Sequence, residues 1–163
     1  MGTIWRNPCI PTTVTRFSIC YTSSNISRII ASLPKHTLQR LCILDCQFHL
    51  GHSPAFPRVE KLCLGLRGTA TLKAIQEKFP GLRRLAINES SEPGPVDLRI
   101  LIGSKITKLR ISSDQSIDLT PLSTIETLTD LDVEKCPRIV NYDAVRHVSN
   151  VIKYVPRDEC SVS

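Results

Sequence analysis

The sequence predicts an α/β array of about six or seven strand-plus-crossover units, stacked so that their strands form one parallel sheet. Three observations carry this. Apolar residues recur in a fixed short pattern from Val14 to Tyr154, the pattern repeats every 21 to 24 residues, and helix signals fall between its copies. A period of this size is the mark of a repeat architecture, in which each unit buries its apolar face on its neighbours.

The pattern is apolar-x-x-apolar-x-apolar-x-x-(Asn/Cys)-x-apolar. Its fullest copy is Leu38, Leu41, Ile43, Cys46 and Phe48. Other copies begin Val14-Phe17-Ile19, Val59-Leu62-Leu64, Leu82-Leu85-Ile87, Ile106-Leu109-Ile111 and Leu128-Leu131-Val133, the last followed by Cys136. A seventh, shorter copy is read with Val151 first and Tyr154 central, cut off by Pro156. The central residues are thus Phe17, Leu41, Leu62, Leu85, Leu109, Leu131 and Tyr154. A strand alternates its side chains, so Leu41 and Ile43 point into the core while Arg40 and Cys42 point out.

The crossovers carry helix signals of their own. Ser24-Asn25 precedes Ile26, Ile29, Ile30 and Leu33, with Pro34 as a stop, and Thr71 precedes Leu72, Ile75 and Phe79, with Pro80-Gly81 ending the run. A short helical turn is expected over Leu119–Ile125, and another over Ala144–Val148 behind Asp143. Ser90 to Pro95 reads as a loop. The division that follows is a short N-terminal extension over 1–11, a repeat domain over 12–158 and a tail over 159–163.

This pattern resembles the leucine-rich-repeat family, and Leu41-Cys42-Ile43-Leu44-Asp45-Cys46 and Leu131-Asp132-Val133-Glu134-Lys135-Cys136-Pro137 are similar to its cysteine-containing subtype in F-box/leucine-rich-repeat proteins. The resemblance implies a short horseshoe-shaped solenoid with its parallel sheet on the concave face and helices and turns on the convex face. It also implies a partner bound on the concave face. The residues ahead of the first repeat are too few for an F-box, so a substrate-recognition role in a ubiquitin-ligase-like complex would need that element from elsewhere.

Charge picks out the surface. Residues 1–113 hold 16 Lys/Arg against 6 Asp/Glu, whereas 114–163 hold 5 against 9. The position before each central residue is Arg16, Arg40, Lys61, Arg84, Lys108, Asp130 and then Lys153, so five successive strands place a cation in one column. With strands about 4.8 Å apart this ladder is roughly 19 Å long. Arg110 lies in the column on the other side of the central residue, and Asp130, Asp132 and Glu134 make an acidic patch on the sixth strand.

The functional expectation is a non-catalytic protein–protein interaction or scaffolding module that binds an acidic partner through Arg16, Arg40, Lys61, Arg84, Lys108 and Arg110. RNA is the lesser expectation, because the ladder lacks interleaved aromatics for base stacking. A structural subunit of a larger assembly, ribonucleoprotein included, is the alternative. No cofactor and no metal are expected. Cys42, Cys46, His49 and His52 resemble a metal set by type, but Cys42 should face out while Cys46 turns in. Cys42 and Cys63 should sit side by side on adjacent strands, where a disulfide or metal role would be open to them. No apolar run reaches membrane-span length. Seven cysteines without an apolar leader point to a reducing, intracellular compartment, cytoplasmic first and mitochondrial as the alternative.

Overall fold

The computed structural model describes residues 10–20, 26–44, 53–66, 74–89 and 96–154. They form one all-parallel sheet of seven strands in chain order, with short helices and turns between them. The strands are β1 (Arg16–Cys20), β2 (Arg40–Leu44), β3 (Lys61–Leu66), β4 (Arg84–Glu89), β5 (Lys108–Ser112), β7 (Asp130–Glu134) and β9 (Asn150–Tyr154). Two short strands, β6 (Ile117–Asp118) and β8 (Ile139–Val140), pair with each other in a second, two-stranded parallel sheet. The sequence pattern gave no sign of this second sheet.

The alternation of the strands decides which side chains are buried. In β2 the inward Leu41 and Ile43 are each 2% exposed, while Arg40, Cys42 and Leu44 are half-buried. Because neighbouring strands pair without offset, Leu41, Leu62, Leu85, Leu109 and Leu131 form one lateral row. Ile43, Leu64, Ile87, Ile111 and Val133 form a second, and Leu38, Val59, Leu82, Ile106 and Leu128 bury a third ahead of the strands. A Leu or Ile buried this fully stabilises by about 1.5–3 kcal/mol. The backbone follows the same repeat, since the N–H groups of Gln39, Glu60, Arg83, Thr107 and Thr129 donate to the carbonyls of Thr15, Gln39, Glu60, Arg83 and Thr107 at 2.8–3.0 Å.

The crossovers cover the other side of the core. Helix α1 (Ile26–Ser32) turns Ile26 and Ile30 inward, and α2 (Ile75–Lys78) turns in Ile75. Phe79 stacks on Phe56 at a ring-centroid distance of 5.9 Å, both rings being buried. The crossovers that follow β4, β5 and β7 carry 3-10 turns over Leu98–Leu101, Thr120–Thr124 and Tyr142–Val145. The last differs from the expected Ala144–Val148. Asn141 precedes it in the left-handed region at φ 58°, and its amide donates to Asp118 Oδ1 at 3.0 Å and Thr120 Oγ1 at 2.8 Å, so the turn starts earlier. The expected Ser90–Pro95 loop, the Ser24-Asn25 and Thr71 helix starts, and Cys46 with Phe48 lie outside the described residues.

The seventh repeat requires a correction. Val151, not Tyr154, pairs with Leu131 and takes the central position, so the last spacing is 20 residues. Lys153 falls opposite Val133 and is exposed, and Asn150 holds the column position expected of Lys153.

Gly81 is required by a close approach. A Cβ there would stand 2.5 Å from the Pro57 carbonyl oxygen, a backbone atom that cannot swing aside. Gly81→Ala is therefore expected to destabilise by about 1–3 kcal/mol, as overpacking does, read as a lower denaturant midpoint. Leu62→Ala, which hollows the middle of the central row, should cost about 2–5 kcal/mol. An unchanged midpoint in Leu62→Ala would mean that Leu62 is not in the core.

Candidate functional site

The outward side chains of the seven strands line one open trough with a volume of about 770 Å³. Its floor is set by the register described above. Arg16, Arg40, Lys61, Arg84, Lys108 and Asp130 are successive lateral partners, so the predicted cation column exists as a physical row. Asn150 ends it. The neighbouring outward column is Ser18, Cys42, Cys63, Ala86, Arg110, Asp132 and Ile152.

The row divides into two electrostatic segments. Lys108 Nζ lies 3.2 Å from Asp130 Oδ1. Arg110 reaches Asp132 at 3.5 Å and donates a short hydrogen bond to Glu134. The acidic residues of β7 therefore neutralise the cations of β5 rather than standing apart as a separate patch. Among the described residues, Arg16, Arg40, Lys61 and Arg84 have no carboxylate within ion-pair distance. Adjacent like charges at strand spacing repel by somewhat under about 1 kcal/mol in water. Lys61, in the middle of the unpaired segment, responds to this. Desolvation first, then the charges of Arg40, Arg84 and Arg16, lower its pKa, with Glu60 opposing.

The acidic side of the trough shows the reverse balance. The Asp130 carboxylate accepts from Thr129 Oγ1 at 2.7 Å, Lys108 at 3.2 Å and Asn150 Nδ2 at 3.3 Å, and these partners hold its pKa below the usual value. Asp132 is pushed the other way, by desolvation and then by Glu134, with Arg110 opposing. One of its oxygens, Oδ1, is buried without a hydrogen-bond partner.

Cys42 and Cys63 are lateral partners as expected, both half-buried and unbridged. Burial, followed by the charge of Cys42 and a hydrogen bond to it, pushes the Cys63 thiol up to about 12, and Asn88 Nδ2 lies 3.8 Å from its sulfur. At neutral pH Cys63 is therefore a thiol and a poor nucleophile. Among the described residues no three His, Cys, Asp or Glu side chains gather as a metal site, and Cys46, His49 and His52 lie outside them. Ile152 was not singled out from the sequence. It is 53% exposed at the far end of the trough, and the misplaced seventh repeat hid it. No helix among the described residues is long and apolar enough to cross a membrane.

No protein-family model, curated protein or solved structure matches the chain.

The carboxylates make opposite contributions to acid stability. Asp130, and likewise Asp118 with its bonds from Thr120 and Asn141, has a depressed folded pKa, so its contribution is present above the unfolded value and is lost as pH falls through the folded one. Asp132 has a raised folded pKa, so protonating it favours the fold as pH falls toward its unfolded value. Carboxyl-carbon NMR should show Asp132 titrating above Asp130 and Asp118. The reverse order would contradict this geometry.

Proposed function

We propose that the chain is a leucine-rich-repeat solenoid acting as a non-catalytic interaction module, its concave strand face docking an acidic protein surface. The single observation that carries the reading is the run of four cations, Arg16, Arg40, Lys61 and Arg84, in lateral register and without carboxylate partners among the described residues. Two further features support it. The unpaired cations line a trough open enough to admit a partner. The strands follow in chain order with a short helix or 3-10 turn described in five of the six crossovers, as expected of stacked repeats.

A partner's carboxylates would relieve repulsion that the free protein already bears. An exposed ion pair is worth only about 0.2–1 kcal/mol, so affinity on this face comes from several pairs formed at once. Electrostatic complementarity of this kind speeds encounter and rejects basic partners more than it deepens affinity. Because the carboxylates on β7 neutralise the cations of β5, the open positive charge is confined to the β1–β4 end of the trough, which fixes where an acidic segment would sit.

Arg40→Glu combined with Lys61→Glu is expected to weaken binding of a polyglutamate peptide by about tenfold or more, equivalent to roughly 1.4 kcal/mol. The melting temperature should hold or rise, because the substitutions remove like-charge repulsion. Fluorescence anisotropy at two salt concentrations, beside a thermal melt, reads both. Equal affinity in the variant and the native protein would overturn the reading.

A further inference from the structure

The spacing of the unpaired cations selects the shape of an acidic partner. We propose that the trough takes an acidic amphipathic α-helix laid across the strands, with carboxylates at positions i, i+3, i+7 and i+10 meeting Arg16, Arg40, Lys61 and Arg84. The proposal rests on the acidic-partner reading above and narrows it.

The four cations are lateral partners on consecutive strands, with no offset between rungs. At the usual strand separation they stand at about 0, 4.8, 9.6 and 14.4 Å along the row. A helix rises about 1.5 Å per residue, so carboxylates at i, i+3, i+7 and i+10 stand at about 0, 4.5, 10.5 and 15.0 Å. Each falls within about 1 Å of its rung, and all four lie on one face of the helix. An extended segment fits poorly. Its same-face residues recur every 6.7 Å or so, and its fourth carboxylate would overshoot Arg84 by more than about 5 Å.

The second outward column adds to the match. Beside the four cations stand Ser18, Cys42, Cys63 and Ala86, all small and uncharged. They leave a shallow strip where the flank of a helix, roughly 10 Å across, lies without meeting a bulky side chain. Both columns change at β5, where Lys108 is paired to Asp130 and Arg110 to Asp132 and Glu134. The helix seat thus ends after about three turns. A fifth carboxylate at i+14 would reach Lys108 only in competition with Asp130.

The test uses the whole chain and three 18-residue peptides, with helicity checked by circular dichroism. One carries the four-glutamate stripe. The second has the same composition with its glutamates spread around the helix. The third is the stripe peptide with two central residues replaced by proline. The stripe should bind at least about tenfold more tightly than the other two, lose that advantage against Lys61→Glu, and gain little from a fifth glutamate at i+14. Equal affinity for all three, each weakened by Lys61→Glu, would sink the helix inference and leave the acidic-partner reading standing. Indifference of all three to Lys61→Glu would sink both. Tighter binding of polyuridylate RNA than of any peptide, again lost in Lys61→Glu, would make the face a phosphate surface and overturn the proposal.

Discussion

Lateral stacking of Leu41, Leu62, Leu85, Leu109 and Leu131 with no offset between strands is the constraint on which the rest of the molecule depends. No single unit can cover its own apolar face. Each row is buried only because the neighbouring unit presents the same residue type at the same height. A one-residue slip of any strand would turn its aliphatic side chains to solvent and bring its outward residues into the core. The register is therefore fixed by burial along the whole row.

The translation that stacks leucines also stacks whatever lies between them. The outward residue before each central leucine has no freedom to avoid its lateral neighbour, so a cation repeated in the sequence becomes a row of cations in space. The cost is small per pair, since the groups are wet and the side chains can splay. At β5 the sequence offsets it by supplying carboxylates on the next strand. From β1 to β4 no described carboxylate does so, and there the charge is left open to the trough. Structure and electrostatics are thus two readings of one register, the inner face giving stability and the outer face carrying the charge.

Much of this was legible in the sequence because it rests on identity at a fixed period. Six central positions, the inward and outward alternation, and the columns of Arg16 to Lys108 follow from counting residues. The seventh repeat did not, for a physical reason. Val151 and Tyr154 both satisfy an apolar position, and without a following Cys or Asn nothing in the pattern chooses between them. Strand pairing beside Leu131 selects Val151, partly buried against the core, which exposes Lys153 and leaves Ile152 open in the trough. The pairing of Lys108 with Asp130 could have been read, since the two residues hold the same column one strand apart. The unsatisfied oxygen of Asp132 and the contact that demands Gly81 could not, because they depend on atomic positions off the repeat.

The central claim is that the cations from β1 to β4 form a row of mutually repelling neighbours, and the Lys61 side chain reports it most directly. Its pKa can be followed by NMR of the ε-carbon in the native protein and in Arg40→Gln and Arg84→Gln. The account predicts a value below that of an ordinary lysine, moving upward when either neighbour is neutralised. An ordinary value that ignores both substitutions would mean that the row does not exist, and the binding surface proposed on it would go too.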